Sequence, residues 1–152
     1  IYLSDTPKQV KKGVNSMYTD PLHLNIDDPG HLEGNCPFIY LDALCTPEQM
    51  QSYAPQYESL DAMKAHYVKG GLGDGTVKKL LTSVLEEILT PIRERRAMYE
   101  KDIPGVYEIL RKGSEEARAT AAKTLDRVRE AMKINYFNDP ALIKEQAARY
   151  GK

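Results

Sequence analysis

Six cations carry most of the chemistry this sequence can offer: Lys78, Lys79, Arg93, Arg96, Arg111 and Arg118. Ammonium and guanidinium groups neutralise phosphate, and the arginine fork can also read a base edge. Arg93 and Arg96 are three residues apart, so on a helix they share a face. Tyr99 and Tyr107 supply planar rings of the kind that stack on unpaired bases. Charges of this sort also cover ordinary solvated helix faces. The residues alone therefore leave two readings open, an anionic partner and a plain solvated surface.

Other chemistries find less support. There is no Gly-x-Ser-x-Gly elbow and no Cys-His pair of catalytic spacing, so no catalytic residue is assigned. The acid pairs Asp27-Asp28, Glu86-Glu87 and Glu115-Glu116 read as turn or solvated helix positions. His23, His31, Cys36 and Cys45 match no structural zinc spacing, and no metal site is expected. Gly70-Gly71-Leu72-Gly73-Asp74-Gly75 precedes a helix, where backbone amides can hold phosphate. It lacks the Lys-Ser/Thr of a P-loop and no strand precedes it. It reads as a helix–helix loop, with contact to an RNA phosphate as the lesser alternative.

The net charge of −1, from 21 basic and 22 acidic residues, argues at first against nucleic acid. The average conceals a division. Residues 1–63 hold 3 basic and 9 acidic side chains, whereas residues 64–152 hold 18 and 13. Such asymmetry is a better guide to partners than the total. The asymmetry points to residues 64–152 as the section that could meet an anionic partner. Two cysteines cannot make a disulfide framework, and no apolar run is long enough for a membrane span. With no signal peptide in view, a reducing, cytoplasmic setting is expected. A chain that starts at Ile1 rather than at methionine suggests a fragment or processed product.

The elements that must position these residues are helical. Thr6-Pro7-Lys8-Gln9 and Thr46-Pro47-Glu48-Gln49 are capping boxes with proline at the first helical position. The first helix is expected to carry Val10, Val14 and Met17-Tyr18 and to stop at Asp20-Pro21. Residues 20–35, rich in Asp, Pro, Gly, His and Asn, read as an irregular connection. Helices follow from about Pro37 to Leu44, from Thr46 to before Pro55, and from a Ser59 cap to Gly70-Gly71. Val77, Leu80, Leu81, Val84, Leu85, Ile88, Leu89 and Ile92 make one apolar face of a long helix. Pro91 should kink it, or restart it from Thr90. Ile103-Pro104-Gly105 should break the helix, and Gly113-Ser114 should stop and recap the next. Gly113, Ala117 and Ala121 form a small-residue strip suited to close helix packing. Asn138-Asp139-Pro140 should cap a last helix through Tyr150. No segment alternates with period two. The fold class is all-α, a helical bundle with an irregular N-terminal section.

Several runs together resemble one family. Leu3–Pro7 and KKGVNSMYTDP (Lys11–Pro21) resemble the segment just after the KMSKS signature of bacterial tryptophanyl-tRNA synthetases. DDPGHLEGN (Asp27–Asn35), FIYLDAL (Phe38–Leu44), GGLGDGTVKKLL (Gly70–Leu81), LTPIRERR (Leu89–Arg96), YEILRKGSEEAR (Tyr107–Arg118) and TLDRVREAM (Thr124–Met132) continue the similarity in order. The resemblance implies a homodimeric class I ligase whose Rossmann domain binds ATP, Mg2+ and tryptophan, with a C-terminal helical domain that recognises the anticodon of the tryptophan tRNA. It implies that residues 1–36 are a post-KMSKS helix and connection, and residues 37–152 the anticodon-binding domain. Neither catalytic signature is present. The segment alone is therefore expected to hold no cofactor and to form no tryptophanyl-adenylate, since KMSKS lysines stabilise pyrophosphate in the transition state. Gly13 and Asn15 stand where lysine and methionine are commoner. Tyr67, Asp74 and Val77 stand where cluster-bearing relatives place cysteines, so no iron–sulfur cluster is expected. The six cations are assigned to tRNA. The rival reading is a non-catalytic helical module that binds protein through its acidic front section.

Overall fold

Capping chemistry explains where the helices start. The computed structural model describes residues 1–151 and divides into two compact units, residues 1–98 and residues 99–152. In the first unit α1 spans Pro7–Asn15 and α3 spans Pro47–Tyr53. Both open with the expected reciprocal box: the Gln9 amide donates to Thr6 Oγ1, and the Thr6 amide donates to Gln9 Oε1 at 2.9 Å. Thr46 and Gln49 repeat the pattern. Between them α2 spans Cys36–Leu44, and α4, capped by Ser59, spans Leu60–Lys69. Gly70 and Gly71 end α4 at φ of 90° and 106°, a region that side chains other than glycine avoid.

α1 stops at Asn15, earlier than its apolar spacing suggests. The Ser16 hydroxyl donates to the Gly13 carbonyl, and Lys78 donates to the carbonyls of Asn15 and Met17. Carbonyls left over at the helix end are satisfied by these groups, so nothing drives another turn.

α5 spans Asp74–Tyr99 without interruption, so of the two expectations at Pro91, a kink or a restart, the restart from Thr90 does not occur. Thr90 lies inside the helix and donates to the Glu86 carbonyl at 2.6 Å. Pro91 removes one amide bond, but the helix is anchored on both sides of it. Upstream, Val77, Leu80, Leu81, Val84, Leu85 and Leu89 are buried. Across it, Arg93 reaches back two turns to the carboxylate of Glu86. These six join Val10 and Val14 of α1, Phe38 and Leu41 of α2, Met50 of α3, and Met63 and Tyr67 of α4 in one core. The core thus draws on α1 as well as on α2 to α5, and the first compact unit extends to Met98.

In the second unit α6 spans Ile103–Ala131, a 3₁₀ turn spans Tyr136–Asn138, and α7 spans Pro140–Tyr150. Asp102 caps α6 and Asp139 caps α7. The stop expected at Gly113-Ser114 is absent. Arg111 pairs with Glu108 and with Glu115, each at 2.6 Å, and so ties the turns on either side of Gly113 together. Among the described residues of this unit no side chain is buried, and nothing lies within 4 Å of a Cβ built on Gly113. The small-residue strip has no helix packed on it here.

Candidate nucleic-acid interface

The irregular section 16–35 is folded around Tyr67, and this arrangement sets where α5 begins. Tyr67 has no exposure to solvent. Its hydroxyl donates to Asp74 Oδ1 at 2.7 Å and accepts from Asn35 Nδ2 at 3.2 Å. Phe38 and His23 meet its ring edge-on, with centroids 5.0 and 4.7 Å away. Burial and the neighbouring Asp74 push the phenol pKa far above its ordinary value. Thr19 donates to the other oxygen of Asp74 at 2.9 Å. The carboxylate of Asp20 accepts from the amides of Leu22 and His31 and lies 2.8 Å from His31 Nδ1. Those bonds, the Leu22 amide first, hold its pKa below the usual carboxylate range.

This packing decides what the glycine-rich loop can do. The Gly70 amide donates to the Tyr67 carbonyl and the Gly71 amide to that of Ile26. Asp74 places a carboxylate at the start of α5. With the amides of Gly70 and Gly71 committed and a carboxylate at the start of its helix, the loop is poorly suited to cradle a phosphate. It does not fit the triphosphate of ATP either. The loop is a connector held by the DDPGHLEGN run.

The four sulfur- and imidazole-bearing residues stay apart. Cys36 is the first residue of α2 and Cys45 caps its other end, too far apart for a disulfide. His31 faces Asp20, and His23 lies 3.5 Å from Asp74. Among the described residues no three such groups gather as metal ligands.

The six cations separate into different local roles. Lys78 is half-buried and spends its ammonium on the end of α1. Arg93 donates to Glu86, to Thr90 Oγ1 and to the Asp5 carbonyl, with 18% of its side chain exposed. Both are structural in these surroundings. Lys79 and Arg96 are exposed on α5. In the second unit Arg111 is exposed, but Glu108 and Glu115 offset its charge. Arg118 is exposed and, among the described residues, meets no carboxylate. At about 100° per residue, Tyr107, Arg111 and Arg118 fall within about 40° of one face of α6. Tyr107 is 70% exposed, so ring and cations line one accessible stripe.

Three further cations lie on α1. Lys8, Lys11 and Lys12 account for all the basic residues of positions 1–63. Lys8 and Lys12 project away from the buried Val10 and Val14 while Lys11 lies on the flank between, and α1 has no acidic residue. A helical projection of that one element would have shown this, whereas summing charge over half the chain hides it.

No family model matches the sequence. Curated relatives do. A tryptophan–tRNA ligase of Clostridium longisporum is 51% identical over 139 residues, covering 91% of this chain and 38% of that protein. Tryptophan–tRNA ligases of Streptococcus agalactiae and Streptococcus pyogenes are each 50% identical over 137 residues, again covering 38% of their own length. No helix among the described residues is long and apolar enough to cross a membrane. Across nine-tenths of its residues the chain is thus similar to a stretch amounting to little more than a third of these tryptophan–tRNA ligases.

Proposed function

We propose that this chain is the helical, anticodon-recognising C-terminal part of a tryptophan–tRNA ligase. In the whole enzyme ATP and Mg2+ would activate tryptophan on a separate nucleotide-binding domain. The partners would be that domain, a second subunit and the tryptophan tRNA. The observation that carries the reading is the identity of about half over nine-tenths of the chain, in a segment whose described elements are all helical. Support at the surface comes from Lys79 and Arg96 on α5 and from Tyr107 and Arg118 on α6, which are accessible. Lys78 and Arg93 serve the fold of the first unit, and their contribution to tRNA would be indirect.

One observation favours the rival reading of a protein-binding module. Arg111, central to the α6 stripe, is already paired with Glu108 and Glu115, as on a solvated face. Equilibrium binding separates the two readings. A tryptophan-tRNA transcript and one with a substituted anticodon are titrated with the chain across a range of salt. The tRNA reading expects salt-dependent binding and a preference for the native anticodon. Absence of binding even at low salt favours the module. The same preparation is expected to give no tryptophan-dependent pyrophosphate exchange.

A further inference from the structure

We infer that the groove between α1 and α5 seats a backbone phosphate of the bound RNA, with Lys11 and Lys79 as its two cations; this rests on the tRNA reading above. Lys11 and Asn15 line one side of the groove, and Gly75, Lys79, Thr82 and Ser83 the other. The geometry is fixed from beneath. Lys78 bonds the end of α1 to α5 at 3.0 and 2.9 Å, and Val10, Val14 and Val77 are buried in one core. The two exposed ammonium groups are thereby carried by elements that cannot swing apart.

Neither ammonium has an acidic partner among the described residues. α1 contains no acid. The acids of α5 near the groove are committed elsewhere: Asp74 to Thr19 and Tyr67, Glu86 to Arg93, and Glu87 to the Tyr53 hydroxyl. Two like charges beside one groove repel, and a bound anion removes that repulsion. Thr82 and Ser83 already donate to the carbonyls of Lys78 and Lys79. The donors left for an anion are therefore the lysines and the Asn15 amide. Three rotatable donors on each lysine suit a point contact with phosphate and carry no base information. Lys8, about 60° round the helix from Lys11, extends the positive surface away from the groove. The acidic half of the sequence thus contributes to RNA binding through Lys11, one of its only three cations.

The test is equilibrium binding of the tryptophan-tRNA transcript to the wild-type chain and to Lys11→Ala, Lys79→Ala and the double variant. Lys144→Ala, on α7, is the control. Both groove lysines are exposed, so thermal unfolding should be unchanged and confirms that each variant is folded. The double variant should bind about 3- to 10-fold more weakly at moderate salt. Its log–log salt slope should be shallower by about one, for native and substituted anticodons alike. Wild-type affinity and slope in the folded double variant, with tRNA bound normally by the wild type, overturn the groove alone. A wild-type chain that binds no tRNA at any salt overturns the tRNA reading and the groove with it.

Discussion

Tyr67 shows how one side chain organises an otherwise irregular stretch. The chain passes so close to its ring that only glycine fits at position 30. A Cβ there would lie 2.3 Å from Tyr67 Cε1, and the Gly30 amide donates to the Tyr67 carbonyl. The ring is walled in by Phe38 and His23 and cannot retreat. Gly30→Ala should therefore cost about 3 kcal/mol, at the upper end for overpacking, as read from urea unfolding. A loss below about 0.5 kcal/mol would show that the contact is loose. Asp20 makes a separate prediction. Its pKa is lowered in the folded chain, so its contribution to stability is present above the ordinary value near 4. That contribution is lost as the pH falls through the folded value. Asp20→Asn should be less stable than wild type at pH 7 and should lose stability less steeply between about pH 5 and pH 2. Parallel acid limbs for the two proteins would contradict this. The DDPG turn was legible as sequence, but its purpose was not. The partners of Asp20, Asn35 and Gly30 come from up to 37 residues away along the chain, and local spacing carries no such information.

At the scale of elements, starts were easier to read than stops. Thr6, Thr46, Ser59 and Asp139 all cap the helices their sequence patterns announce, because an N-cap is a bond between residues two or three apart. Gly113 does not stop its helix, and Pro91 does not restart one. Pro91 and Gly113 each lower helix propensity, yet both helices run through. In α5 a buried face outweighs one missing amide bond, and in α6 the Arg111 pairs bridge the weak residue. A breaker states a local cost; whether it ends a helix depends on contacts on either side. Gly113→Ala tests this directly. Its φ is not positive and its Cβ would meet open space, so the change should raise stability by about 1 kcal/mol. Thermal unfolding followed by far-ultraviolet circular dichroism reads the gain. A loss instead would mean that the small-residue strip packs against a partner in solution.

For the whole molecule, the division of charge along the sequence is not the division in space. The first 63 residues are acidic in sum, but their three cations all lie on α1, with Lys11 beside Lys79 in one groove. The six cations read from the sequence fall into different local surroundings. Lys78 and Arg93 answer to carbonyls and carboxylates of their own unit, which no spacing rule reveals. The all-α class and the family similarity were both legible, the first from period and caps, the second from several runs in order. The most direct test of the tRNA assignment is the affinity of the folded chain for a tryptophan-tRNA transcript as salt is raised from about 50 to 200 mM. Three or four phosphate contacts predict a log–log slope of about −3 and, at each salt, binding at least about 5-fold tighter than to a transcript with a substituted anticodon. A flat salt dependence, or equal affinity for both transcripts, would contradict it.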